Sequence, residues 1–218
     1  MTPTEAAVVT VMEGAVGAHV GLCYRDARGE GTRRHLHLAW HLRLEHEQDP
    51  PPEAFWVEPR PEELELANLA AAAHLIAARQ QDGRIPYAFK PADARFDADG
   101  MLKLNQSRGL TCATFIILMF EYVGIRLLER TTWEQNRSAE RKREDAEAQR
   151  VLVEYLRSKP DSRSHADLVA GEVGSTRIRA EEVAAASGMT GHPIPFARAE
   201  FEGRGVLERI RGQRAGAT

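Results

Sequence analysis

Cysteine is scarce in this chain: Cys23 and Cys112 are the only two among 218 residues. One pair is not the disulfide framework on which small secreted domains rely, and a chain of this length can bury a core without staples. Two lone thiols fit a reducing compartment, where each is either packing or a working group. Charge of one sign is also missing. The 29 Lys+Arg and 32 Asp+Glu residues leave a net charge of −3 with no long basic run, which gives nucleic acids and membrane surfaces little to hold. Long apolar runs are absent as well. The longest, Ala113 to Phe120, is interrupted by Thr114 and falls far short of the ~20 residues a bilayer span needs. The first residues lack a basic segment and carry Glu5 and Glu13, so no signal peptide is expected and the location is expected to be cytoplasmic.

What is present divides unevenly along the chain. Val8 to Met12 is short and β-branched, and Ala18 to Arg25 alternates Val20, Leu22 and Tyr24 with His19, Gly21 and Cys23. After a turn at 26–31, Arg34 to Leu44 reads as one more strand, with Leu36, Leu38, Trp40, Leu42 and Leu44 opposite His35, His37, Ala39, His41 and Arg43. Two alternating runs about a glycine-bearing turn predict an antiparallel hairpin, greasy on one face and rich in histidine on the other. Prolines break the chain at 50–52 and at Pro59 and Pro61, and a helix is expected over 61–81. Residues 84–108 read mostly as loop, with a short extended piece at Ile85–Phe89. Cys112 to Val123 is apolar almost all round, which predicts a central buried helix stopped by Gly124.

Beyond Thr131 the composition turns charged. A helix is expected to end at Pro160, followed by a polar stretch at 161–176 and short helices near Ala180–Ser187 and Gly205–Arg211. The expected fold is therefore α+β. A small antiparallel sheet packs on the Cys112 helix and the 61–81 helix within a domain of residues 1–130, and a helical extension, 131–218, docks on it. Leu22, Tyr24, Leu36, Leu38 and Trp40 should form the core with Phe115, Leu118 and Met119.

Chemistry concentrates at Cys112. A free thiol ionises near pH ~8.5 and is a poor nucleophile until it does. Opening a helix places it where partial positive charge and unpaired N–H groups favour the thiolate. Gly109 would let the backbone come close to a substrate. Gln106, six positions earlier, could point its amide at the oxyanion formed beside the Cys112 N–H. The plain alternative is that Cys112 is a small apolar residue starting a core helix. His19, on the histidine face beside Gly21, is the candidate base. His37 on the next strand is the candidate partner that orients it, with His35 as the other choice.

Gln106-x5-Cys112-x2-Phe115 resembles the nucleophile segment of papain-like cysteine peptidases. The histidines come first in the chain, however, with His19-Val-Gly-Leu on one strand and His37-Leu-Ala on the next. That order is similar to circularly permuted papain-like proteins, including the NlpC-like permuted hydrolases and the lecithin:retinol acyltransferase group, and the similarity runs over roughly residues 8–128. Ala113 stands where an acidic or aromatic residue is common. The resemblance implies a cysteine hydrolase or acyltransferase without cofactor or metal, with Cys112, His19, His37 and Gln106 as its site. Its substrate would be a peptide, a protein conjugate or another acyl compound.

Two rival readings carry different expectations. His35-x-His37 could ligate the zinc of a zinc-dependent hydrolase with help from His19 or His46, whereas His41, ~20 Å from His35 along a straight strand, could not join them. The scaffold could also serve as a binding protein that presents its charged helical extension to a protein partner. Asp97-Ala-Asp-Gly100 looks like the start of a calcium loop, but Arg108 stands where a bidentate Glu is required, so a turn is expected.

Overall fold

Alternation and turn chemistry produce five strands in the first 57 residues. In the computed structural model these are β1 (Ala7–Gly14), β2 (Gly17–Arg25), β3 (Arg33–Trp40), β4 (Arg43–Glu47) and β5 (Phe55–Val57). The structure describes residues 7–14, 17–26, 32–80, 82–90 and 93–215. The expected hairpin turn therefore lies mostly outside the described residues, at 27–31. The strands form one antiparallel sheet in the order β4-β3-β2-β1-β5.

The strand expected over 34–44 is in fact two. The chain reverses at His41-Leu42, where Leu42 takes a left-handed φ of 57°, and Trp40 pairs with Arg43 across the reversal. Alternation alone could not show this, because Leu42 and Leu44 continue the apolar pattern while a branched side chain in that backbone region is rare. The reversal is held from outside: the Leu42 N–H donates to the Ile85 carbonyl at 2.9 Å.

The apolar face of the sheet packs on helices. Leu22, Leu36 and Leu38 are fully buried and Tyr24 nearly so, Trp40 is partly buried, and Phe115, Leu118 and Met119 meet them from the helix. α1 (Glu63–Arg79) has its buried stripe at Leu66, Leu69, Ala70, Ala73, Ile76 and Ala77, the helical spacing that predicts it. A minor hairpin, β6 (Arg95–Phe96) and β7 (Leu102–Lys103), closes around the Asp97–Gly100 turn. α2 (Cys112–Tyr122) is buried at every residue from Cys112 to Phe120, and Gly124 follows it with φ +85°.

The charged region is more helical than expected. α3 (Thr131–Asn136) is separate from α4 (Ala139–Arg157), because Ser138 caps a new helix by accepting from the Arg141 N–H. α5 (Arg163–Ala170) occupies the stretch read as polar loop, α6 (Ala180–Ser187) falls where expected, and α7 (Phe196–Ala215) is longer than expected. α6 packs against β1, β2 and α2, and α7 lies against α6 and β1. No helix among the described residues is long and apolar enough to cross a membrane.

Candidate active site

The hydrogen-bonded ladder between β2 and β3 runs from Arg25↔Arg33 to Leu22↔Leu36 and stops there. Past that point the strands are bridged by side chains, with His19 Nε2 2.8 Å from His37 Nδ1. His37 Nε2 lies 3.2 Å from Glu45 Oε2 on β4, an ion-pair contact outside hydrogen-bond alignment. His19 and His37 both line a cavity of about 210 Å³, and so does Cys112.

Cys112 reaches this cavity from the first turn of α2. Thr111 caps the helix: its hydroxyl accepts from the Thr114 N–H at 3.1 Å, and the Thr114 hydroxyl accepts from the Thr111 N–H at 2.8 Å. This reciprocal cap fixes the direction of the helix end. Cys112 is 7% exposed, and the backbone N–H groups of Val20, the neighbour of His19, and of Ala113 lie by its thiol.

Burial dominates the electrostatics. It pushes the Cys112 thiol above its ordinary range, against the lowering influence of the Val20 N–H, the Arg177 guanidinium and the Ala113 N–H. It pulls His19 down to about 4, against the Glu45 carboxylate, and His37 also to about 4, where the charge on His19 adds to the effect. Burial thus works against the expected resting thiolate and favours the neutral thiol, as it favours the neutral imidazole of His19 on the same cavity. A helix terminus stabilises charge by only ~0.3–1 kcal/mol at an exposed site, less than a buried ion loses in desolvation.

Three further expectations change. Gln106 is exposed and does not line the cavity, so it is not brought to the thiol. Gly109 lets the backbone approach another backbone rather than a substrate: a Cβ there would lie 2.2 Å from the Pro86 carbonyl oxygen. Gly21 makes room for His35, since a Cβ would lie 2.4 Å from His35 Nε2, which contacts Thr10 Oγ1 at 2.8 Å across the glycine.

Tyr87, in the short extended piece at Ile85–Phe89, lines the cavity with Cys112 and His19. Its phenol lies by the Cys112 thiol in the same cavity, and burial holds the phenol neutral. Its backbone is clamped by two histidines stacked 4.4 Å apart. Its N–H donates to His41 Nδ1 at 3.1 Å, and His165 Nε2 donates to its carbonyl at 2.8 Å. Its ring stacks on Trp40 at 4.8 Å. The Ile85-Pro-Tyr-Ala-Phe89 run was the one visible signal, an apolar and aromatic piece inside a polar loop.

The helical extension completes the cavity wall with Leu152, Arg177, Ile178 and Ala180. The 177–182 segment is anchored by Arg137, whose side chain is fully buried and pairs with Glu182 at 2.9 Å and with Asp145 at 3.4 Å. The Trp133 indole N–H donates to the same Glu182 oxygen that pairs with Arg137. Glu172 accepts from the N–H groups of Phe89 and Lys90, tying the Tyr87 segment to the extension as well.

No protein-family model, no curated protein and no solved structure matches the chain.

Proposed function

We propose that this protein is a cysteine-nucleophile acyl hydrolase or acyltransferase with a permuted papain-like arrangement, acting on an amide, isopeptide or ester carbonyl. The observation that carries the reading is the chain Glu45–His37–His19, which ends in the cavity that Cys112 lines from a helix N-terminus.

The order of contacts defines the proton positions. Glu45 faces His37 Nε2 and favours the proton there, so Nδ1 of His37 accepts from Nε2–H of His19. The lone pair of His19 then resides on Nδ1, free to take a proton. Because the resting pair is neutral, the thiol proton passes to His19 Nδ1 as Cys112 Sγ attacks the carbonyl carbon. The tetrahedral oxyanion is met by the Cys112 N–H at the helix end and by the Tyr87 hydroxyl in place of the Gln106 amide. Collapse expels the amine or alcohol, which receives the proton from His19 and leaves an acyl-enzyme. Water or a second nucleophile then reverses the sequence. The Trp40 and Tyr87 rings, Leu152 and Ile178 make an apolar wall in a cavity of this size, suited to a single acyl group.

The test is labelling with peptide, ubiquitin-like and lipid-ester electrophiles, followed by mass spectrometry of the adduct. Adduct at Cys112 that vanishes in His19→Ala and weakens in His37→Ala supports the assignment. Undiminished labelling of His19→Ala removes the base, and no labelling by any probe leaves the scaffold as a binding protein.

A further inference from the structure

The histidine face of the sheet carries a second cluster that shares only His37 with the thiol chemistry. His35, His37 and Glu47 each offer one ligand atom, and the three atoms lie within 4.8 Å of one another. Tetrahedral ligands at ~2.0–2.1 Å from a zinc ion sit roughly 3.3 Å apart, so small side-chain rotations close the set. The register favours it. His35 pairs with Glu47 and His37 with Glu45 across β3 and β4, which puts all four side chains on one face.

His35 is the informative member. It is 0% exposed, its Nε2 is taken by Thr10 Oγ1, and its Nδ1 has no hydrogen-bond partner among the described residues. His37 Nε2 is likewise buried, with the Glu45 carboxylate 3.2 Å away but out of hydrogen-bond alignment. Orphaned polar atoms at such depth cost free energy unless something occupies them. The two rings stack at 4.5 Å, side by side as residues two apart on a strand must be, and Glu47 is exposed on edge strand β4, open to an incoming ion. Imidazole with one carboxylate suits zinc and its borderline neighbours better than calcium or magnesium, which prefer oxygen alone.

We propose that His35 Nδ1, His37 Nε2 and Glu47 form a zinc-class cation site whose occupancy switches off the His19 base. The site itself stands independently, while the inhibitory effect rests on the acyl-transfer reading above. A cation on His37 Nε2 displaces the proton that Glu45 favours there, and that proton moves to Nδ1. His37 Nδ1 then donates to His19 Nε2, whose own proton is found on Nδ1. Both rings stay neutral and no proton is lost overall, yet His19 no longer presents a lone pair to the thiol. The role is inhibitory rather than catalytic because neither His35 nor Glu47 lines the cavity where Cys112 meets substrate.

Equilibrium dialysis of the full chain against Zn²⁺ tests the site. One ion per chain is expected. Affinity should fall at least tenfold in Glu47→Gln, an exposed substitution that leaves the core intact, and also in His35→Gln, but should persist in Cys112→Ala. Unchanged binding in Glu47→Gln, or loss of binding in Cys112→Ala, overturns the site. Nitrogen-15 NMR of the histidine rings reads the switch without relying on activity: Zn²⁺ should move the His37 and His19 protons from Nε2 to Nδ1. Unmoved tautomers, or faster Cys112 acylation with zinc bound, overturn the inhibition. Zinc binding by a chain that no acyl electrophile labels keeps the site and removes the hydrolase reading.

Discussion

At the scale of single residues, polarity of surroundings outweighs local helix chemistry. Cys112 has a helix N-terminus and two N–H donors, yet burial still raises its thiol. Its alkylation by iodoacetamide should therefore show a pH midpoint above the ~8.5 of a free thiol. Cys23, 2% exposed and pushed up to about 11, should label more slowly because it does not line the cavity. Rates of adduct formation at each cysteine between pH 6 and 11, read by mass spectrometry, check both statements, and a Cys112 midpoint below the free value contradicts the burial argument. Tyr87 supplies a second residue-level expectation. Tyr87→Phe keeps the ring stacked on Trp40 and the backbone held by His41 and His165 while removing the hydroxyl. If the hydroxyl meets the oxyanion, acylation should slow about 10²–10³-fold with little change in thermal stability. Equal rates would return the phenol to a packing role.

Among the secondary elements, the decisive feature is where β2 and β3 part. Above Leu22↔Leu36 the backbone pairs, and below it side chains take over. Gly21 sits at that transition, with Thr10 and His35 meeting over it. Gly21→Ala would put a methyl group 2.4 Å from His35 Nε2 and 3.0 Å from both Thr10 Oγ1 and His37 Cβ. His35 must then move, which breaks its contact with Thr10 and tilts His37 away from His19. The expected cost is about 1–3 kcal/mol in urea unfolding, accompanied by loss of Cys112 acylation. Wild-type acylation in Gly21→Ala would show that the His37 position is not coupled to this face.

Across the whole molecule, the helical extension acts as part of the site. Leu152, Arg177, Ile178 and Ala180 wall the cavity, and the Arg137–Glu182–Asp145 cluster sets where that wall stands. Arg137→Met leaves Glu182 buried without the guanidinium that pairs with it, and Asp145 with Arg179 alone, and should destabilise the protein by about 3–5 kcal/mol. Denaturant titration measures this, and a change below about 1 kcal/mol would mean that Arg179, 2.9 Å from Asp145, compensates. The buried histidines add a pH dependence. His19, His35 and His37 are lowered from the ordinary 6.5 to about 4, 3 and 4. The folded state thus binds fewer protons than the unfolded state between those values, and stability rises with pH across that window. Stability is full above about pH 6.5 and is lost as pH falls through about 4, with each histidine costing roughly 2 kcal/mol by pH 5. Melting temperatures from pH 4 to 8 in the presence of a chelator check the sign, and a flat profile would contradict burial of the neutral rings.

The α+β class was legible in the sequence because periodicity reports directly on burial. Leu22, Leu36 and Leu38 at period two, and Leu66, Leu69, Ala73 and Ile76 at helical spacing, are core residues wherever their elements go. Cys112 at the start of α2, and the His19 to His37 pairing across a hairpin, followed from the same local rules. Only tertiary structure decided the rest. The reversal at His41-Leu42 depends on the Ile85 carbonyl, and Tyr87 reaches Cys112 because His41 and His165, 124 residues apart in the chain, close on its backbone. Gln106 fell away because spacing along a loop does not fix where a side chain points. The state of the thiol was equally hidden, since the desolvation that governs it comes from chain segments that sequence spacing does not bring near it.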